Sequence, residues 1–138
     1  ENIMPELFPD FVFEVCTQEE LGDLHGKTIP RKNKICIRED VYIGACAENG
    51  RDRLTIAHEI GHFFMHDEHS IEFCQSSSNG KVPCFRDSDW QADVFGGELL
   101  APSYLIDGMS VSKIHEACKV SMPCAKSQLR AIERERVK

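Results

Sequence analysis

The sequence has no apolar run near the roughly 20 residues needed to cross a bilayer, which excludes a spanning helix. It has no CxxC pair either, although it holds seven cysteines: Cys16, Cys36, Cys46, Cys74, Cys84, Cys118 and Cys124. An odd count without paired spacing makes a poor disulfide scaffold. Several of the seven lie in apolar patterns such as "ICI" and "EVC", where a reduced thiol behaves as a small hydrophobe. A reducing, cytoplasmic setting is expected, and Cys74 and Cys84, flanking the loop "QSSSNGKVP", are the pair best placed for an exception. Internal repeats, long low-complexity tracts and a basic-then-apolar leader are also missing. The chain opens at Glu1 without methionine, which reads as a trimmed piece with no visible secretion signal.

What is present suits one soluble domain over residues 1–138, with 41% apolar and 28% charged residues. The net charge of -7 is uneven, because residues 119–138 hold six Lys/Arg against two Glu. An acidic body repels nucleic acid at long range. The basic tail reads as a solvated last helix whose charges suit its C-terminus, so direct nucleic-acid binding is not expected.

"FVFEVC" at residues 11–16 has strand character, and Thr17 with Glu20 forms a capping box for a short helix ending at Gly26. "NKICIRE" and "VYIGA" are two further strand candidates, expected to form a hairpin or meander. Asn49-Gly50 marks a turn, and Asp52 is the expected N-cap of the next helix. A second helix is expected from Asp87 to Ala101, stopped by Pro102, and two more capped by Ser110 and Ser121. The fold class is therefore α+β, with a small antiparallel sheet packed on a helical bundle.

The stretch "TIAHEIGHFFMH" spans residues 55–66. At about 100° per residue, His58 and His62 project side by side, about 40° apart. Ile56, Ala57, Ile60, Phe63 and Phe64 fall on the opposite face, so the histidines turn away from the core. Two imidazoles one turn apart can hold one zinc ion, and Glu59, too far round to be a third ligand, can reach a water on it. That division suits hydrolysis: the metal acidifies the water and polarises a carbonyl, and the carboxylate moves the proton. His66 lies beyond the pair and reads as a helix-terminal residue interacting with the dipole.

A catalytic zinc usually has three protein ligands. Asp89 and Asp93 lie one turn apart on the second helix, and Gly96 shares their face. Glycine inside a helix costs about 1 kcal/mol relative to alanine, so Gly96 and Gly97 point to close approach of another helix, with Ala92, Phe95 and Leu99 packing alongside. One aspartate would ligate, and the other would hydrogen-bond the far nitrogen of a ligand histidine.

These residues resemble the ImmA/IrrE-type metallopeptidases, a gluzincin-like family whose core reads about R-F-T-L-A-H-E-L-G-H-x-x-x-H, then E-x-x-A-N-x-F-A-x-x-L-L-x-P. This chain has "RLTIAHEIGHFFMH" and "DWQADVFGGELLAP" in that order. Weaker similarity covers "KNKICIREDVY" and a helix-turn-helix-like close, "VSKIHEACKVSMPCAKSQL". By position the resemblance implies His58, His62 and Asp89 as metal ligands and Glu59 as the catalytic glutamate. Asp89 stands where the family has Glu, and Asp93, where it has Asn, is the alternative ligand. Also implied are a zincin-like minimal fold, zinc or another divalent ion such as Mn2+, a gene often beside repressors of phages and mobile elements, and cleavage of an Xre-type helix-turn-helix repressor under stress or DNA damage. The competing expectations are a metal-stabilised regulator or toxin-antitoxin component, favoured by a fully closed metal shell, and a DNA-binding module. Tyr42, Tyr104 and His115 are unranked candidates for oxyanion stabiliser.

Overall fold

A computed structural model describes residues 3–67 and 87–138. The suggested Cys74–Cys84 pair lies outside the described residues. A short helix α1 (Ile3–Leu7) leads into β1 (Val12–Cys16). The Thr17 hydroxyl accepts from the Glu20 N–H while the Glu20 carboxylate accepts from the Thr17 N–H, the expected capping box of α2 (Gln18–Leu21). This helix ends at Gly22, in the left-handed region, rather than at Gly26, which instead opens β2 (Gly26–Ile29). A 3-10 turn at Pro30–Lys32 then reverses the chain into β3 (Lys34–Arg38).

The sheet order is β1-β3-β2, with β1 parallel to β3 and β2 antiparallel to it. It is thus mixed, not the expected antiparallel sheet, because β1 lies parallel to β3, and no strand forms at "VYIGA". It belongs to helix α3 (Glu39–Cys46), which immediately follows β3. Glu39 and Asp40 occupy its first turn, where negative charge suits the helix dipole. A five-residue apolar run fits either period, so these flanking charges were the better guide.

Helix α4 (Gly50–Met65) packs on the sheet, and α5 (Ser88–Leu100) packs on α4. Ile35 and Ile37 of β3 project with Val41 into a core covered by Phe11, Phe13, Tyr42, Ile56, Ile60 and Phe63. The other expected face residues of α4 divide: Ala57 is buried, and Phe64 is half exposed, touching Phe8 and Phe95. Past α6 (Ser103–Ile106), helices α7 (Val111–Cys118) and α8 (Met122–Val137) carry the expected Ser110 and Ser121 caps. They close a second core of Ala101, Ile106, Ile114, Val120, Cys124 and Ala125.

Candidate metal centre

Asn49, not Asp52, caps α4, its side chain accepting from the Arg51 and Asp52 N–H groups. The 16-residue helix carries His58 and His62 on the side away from Ile56 and Ile60. They do not face open solvent, because α5 lies over them: His62 is 4% exposed and Glu59 7%.

That contact is made by small residues from both helices. A Cβ on Gly61 would stand 3.2 Å from the Cα and carbonyl oxygen of Ala92, and one on Gly96 would stand 3.2 Å from the His58 nitrogen. Larger residues at these positions would force the helices apart. Gly97 meets the Gln128 side chain instead, which ties α8 to the end of α5. Leu99, expected to pack alongside, is half exposed.

The crossing brings Asp89 over the histidines. Its Oδ1 lies 3.0 Å from His62 Nε2 and 3.4 Å from His58 Nε2, and the two Nε2 atoms are 3.0 Å apart. A tetrahedral zinc with ligands at 2.0 to 2.1 Å has edges of about 3.4 Å, so this triangle nearly matches one of its faces. Asp93 points elsewhere, its Oδ1 lying 2.7 Å from His58 Nδ1.

The hydrogen bonds fix where the imidazole protons lie. A carboxylate only accepts, so His58 donates from Nδ1 to Asp93. His66 Nε2 lies 2.7 Å from Gln91 Oε1 and donates to it, leaving its Nδ1 to accept from His62 Nδ1 at 2.9 Å. Both protons then point outward, and three lone pairs, on His58 Nε2, His62 Nε2 and Asp89 Oδ1, converge with no proton among them. This donor set fits a divalent cation. His66, read as a helix-terminal bystander, thus orients His62.

Without an ion, a proton is the available substitute. Burial opposes charging His58, but its hydrogen bonds to Asp89 and Asp93 outweigh that and raise its pKa from 6.5 to about 10. The His58 and His62 contacts hold Asp89 well below the usual carboxylate range.

Glu59 is placed by β2. The buried Thr28 hydroxyl lies 2.6 Å from Glu59 Oε2 and 2.9 Å from its backbone oxygen. A Cβ on Gly26 would stand 3.0 Å from Glu59 Cγ, so the strand leaves room for this side chain. A cleft of about 320 Å³ opens beside it, lined by His25, Arg51, Thr55, His58, Glu59 and Asp93.

A family model described as peptidase M78, the IrrE N-terminal-like domain, matches residues 12–116. The chain belongs to this family. No curated protein and no solved structure matches it. Membership in this peptidase family gives the chain a metallopeptidase-type function, in a family that is generally metal-dependent. The described helices include none long and apolar enough to cross a membrane.

Among the oxyanion candidates, Tyr42 packs on Phe13, Tyr104 is exposed on α6, and His115 donates from Nδ1 to the Val120 carbonyl at 2.6 Å. None of the three lines the cleft. His25, Thr28 and Gln91 went unnoticed as site residues because each acts from another segment, with no local pattern to mark it; Arg51 lies two turns before His58 on α4 itself, where helical spacing alone puts it on the same face.

Proposed function

We propose that this IrrE-like chain is a zinc-dependent, site-specific endopeptidase acting inside the cell. The observation that carries the proposal is the convergence of three lone pairs, from His58, His62 and Asp89, beside the buried carboxylate of Glu59. Because Asp93 is occupied on the outer nitrogen of His58, it leaves a fourth coordination position open. A closed shell would instead favour a purely structural metal. A bound zinc ion supplies Lewis acidity toward a peptide carbonyl and makes an attacking water more acidic.

The rest falls to side chains. Glu59 takes the proton from the attacking water and returns it to the leaving amine. Thr28 holds one carboxylate oxygen and leaves the other for the water. Asp93 and His66 keep the histidine lone pairs aimed inward. Beside Glu59, β2 is an edge strand, and an extended peptide adding to it would pass the site by backbone pairing. The family's pattern points to an Xre-type helix-turn-helix repressor as the substrate.

The test is incubation of the zinc-loaded chain with the repressor encoded nearest to it. Cleavage at one site is expected, and Glu59→Gln should retain zinc while losing at least about a hundredfold in rate. Full activity in a zinc-loaded Glu59→Gln chain would refute the mechanism. Failure of the zinc-loaded wild type to cut would refute the substrate assignment.

A further inference from the structure

Opposite the Ile35/Ile37 face, the sheet carries a second group of metal-ligating side chains. In the parallel register Glu14 pairs with Cys36. Strand alternation puts Cys16 on the same face as both. One ligand atom from each of Glu14, Cys16 and Cys36 lies within 4.8 Å of the others. Both thiols are free and 5% exposed, while Glu14 is half exposed and opens the cluster to solvent. Lys34 forms an ion pair with Glu14 at that opening.

We infer that Cys16, Cys36 and Glu14 form a second metal site, for a thiophilic divalent cation such as Zn2+, with water as its fourth ligand. Geometry supports this first. A tetrahedral ion with Zn–S bonds of about 2.3 Å needs sulfurs about 3.8 Å apart, a small closure of a cluster already held by two paired strands. Charge balance supports it too. Binding releases one proton from each thiol, so the ion's two charges meet two thiolates, and the Glu14 carboxylate stays balanced by the Lys34 ammonium. The ion would fasten β1 to β3, the central strand that also pairs with β2, and so stiffen the platform that holds Glu59. This site stands apart from the peptidase reading and does not depend on it.

Cobalt distinguishes the two sites, because only a sulfur-ligated ion gives a thiolate-to-cobalt charge-transfer band. The full chain, reduced and stripped by chelator, would be titrated with Co2+. Two ions per chain are expected, one accompanied by the band. Cys16→Ser with Cys36→Ser should abolish the band and leave one ion. His62→Ala should lose the other ion and keep the band. Glu14→Gln, at a half-exposed position that spares the fold, should weaken the thiolate-bound ion about tenfold or more. An absent band, a band that survives the double serine substitution, or unchanged affinity in Glu14→Gln would each overturn the assignment.

Discussion

Replacing Thr28 by valine tests how far the edge strand takes part in catalysis. Valine matches threonine in shape but puts a methyl group where the hydroxyl was, so the hydrogen bond is lost and the Glu59 carboxylate must give by a few tenths of an ångström while β2 stays packed on α4. The hydroxyl lies 2.6 Å from Glu59 Oε2 in a site where Glu59 is almost inaccessible to water. A hydrogen bond to a charged group contributes about 1.5 to 3 kcal/mol, and about 1.4 kcal/mol is tenfold in rate. Losing it should lower kcat by roughly tenfold to a hundredfold. KM should change little, since Thr28 lies behind the carboxylate and not in the cleft lining. Zinc content should stay at the wild-type level, because Thr28 touches none of the three proposed ligand atoms. Steady-state cleavage of the repressor, with metal content measured on the same samples, gives each quantity. Thr28→Ser should recover most of the rate, which a general loss of packing would not allow. A Thr28→Val chain with wild-type kcat would refute the positioning role.

Asp89→Ala should weaken zinc binding more than about a hundredfold in a chelator competition, against ten- to a hundredfold for Asp93→Ala, which loses only an outer hydrogen bond. The reverse order would make Asp93 the ligand. His66→Ala should weaken zinc binding about ten- to a hundredfold by freeing the His62 ring; unchanged affinity would return His66 to bystander status. Zinc affinity should rise about tenfold per pH unit between pH 6.5 and 10, because the ion must displace the proton that the metal-free site holds on His58. The sign reverses for stability of the metal-free chain. The contribution of His58, whose folded pKa is raised, is complete below pH 6.5 and lost as pH rises through about 10. Chelator competition and thermal melting across that range check the two slopes.

The parts of this site that could be read from the sequence are those encoded within one helix. The azimuths of His58, His62 and Glu59 depend only on helical geometry, and α4 and α5 formed close to their expected bounds. Gly96 could be read as well, since a helix tolerates a destabilising glycine where a neighbour needs the space. Partners from distant segments could not. Thr28 is 31 residues from Glu59, and Gln91 is 25 from His66. Treated as part of an isolated helix, His66 had only the dipole for company; α5 supplies its actual partner. Ala117 shows the same limit: its small apolar side chain suits the closing core, yet it is exposed, and the neighbouring Cys118 packs there instead.

The crossing of α4 and α5 also bears on whether metal builds this site or finds it ready. Once His58 gives up its proton, the three lone pairs within 3.4 Å repel one another, so the deprotonated ligands alone would drive the helices apart. Apolar and glycine contacts between Gly61 and Ala92, and between Ala57 and Gly96, act against that repulsion. Their strength does not depend on charge or pH. The outer hydrogen bonds from Asp93, His66 and Gln91 then hold the rings with their lone pairs inward. A small zinc domain that lacks such packing takes its folding energy from the ion. Here the packing carries the convergence, so the binding energy of an incoming ion remains available for holding it and for polarising what it binds.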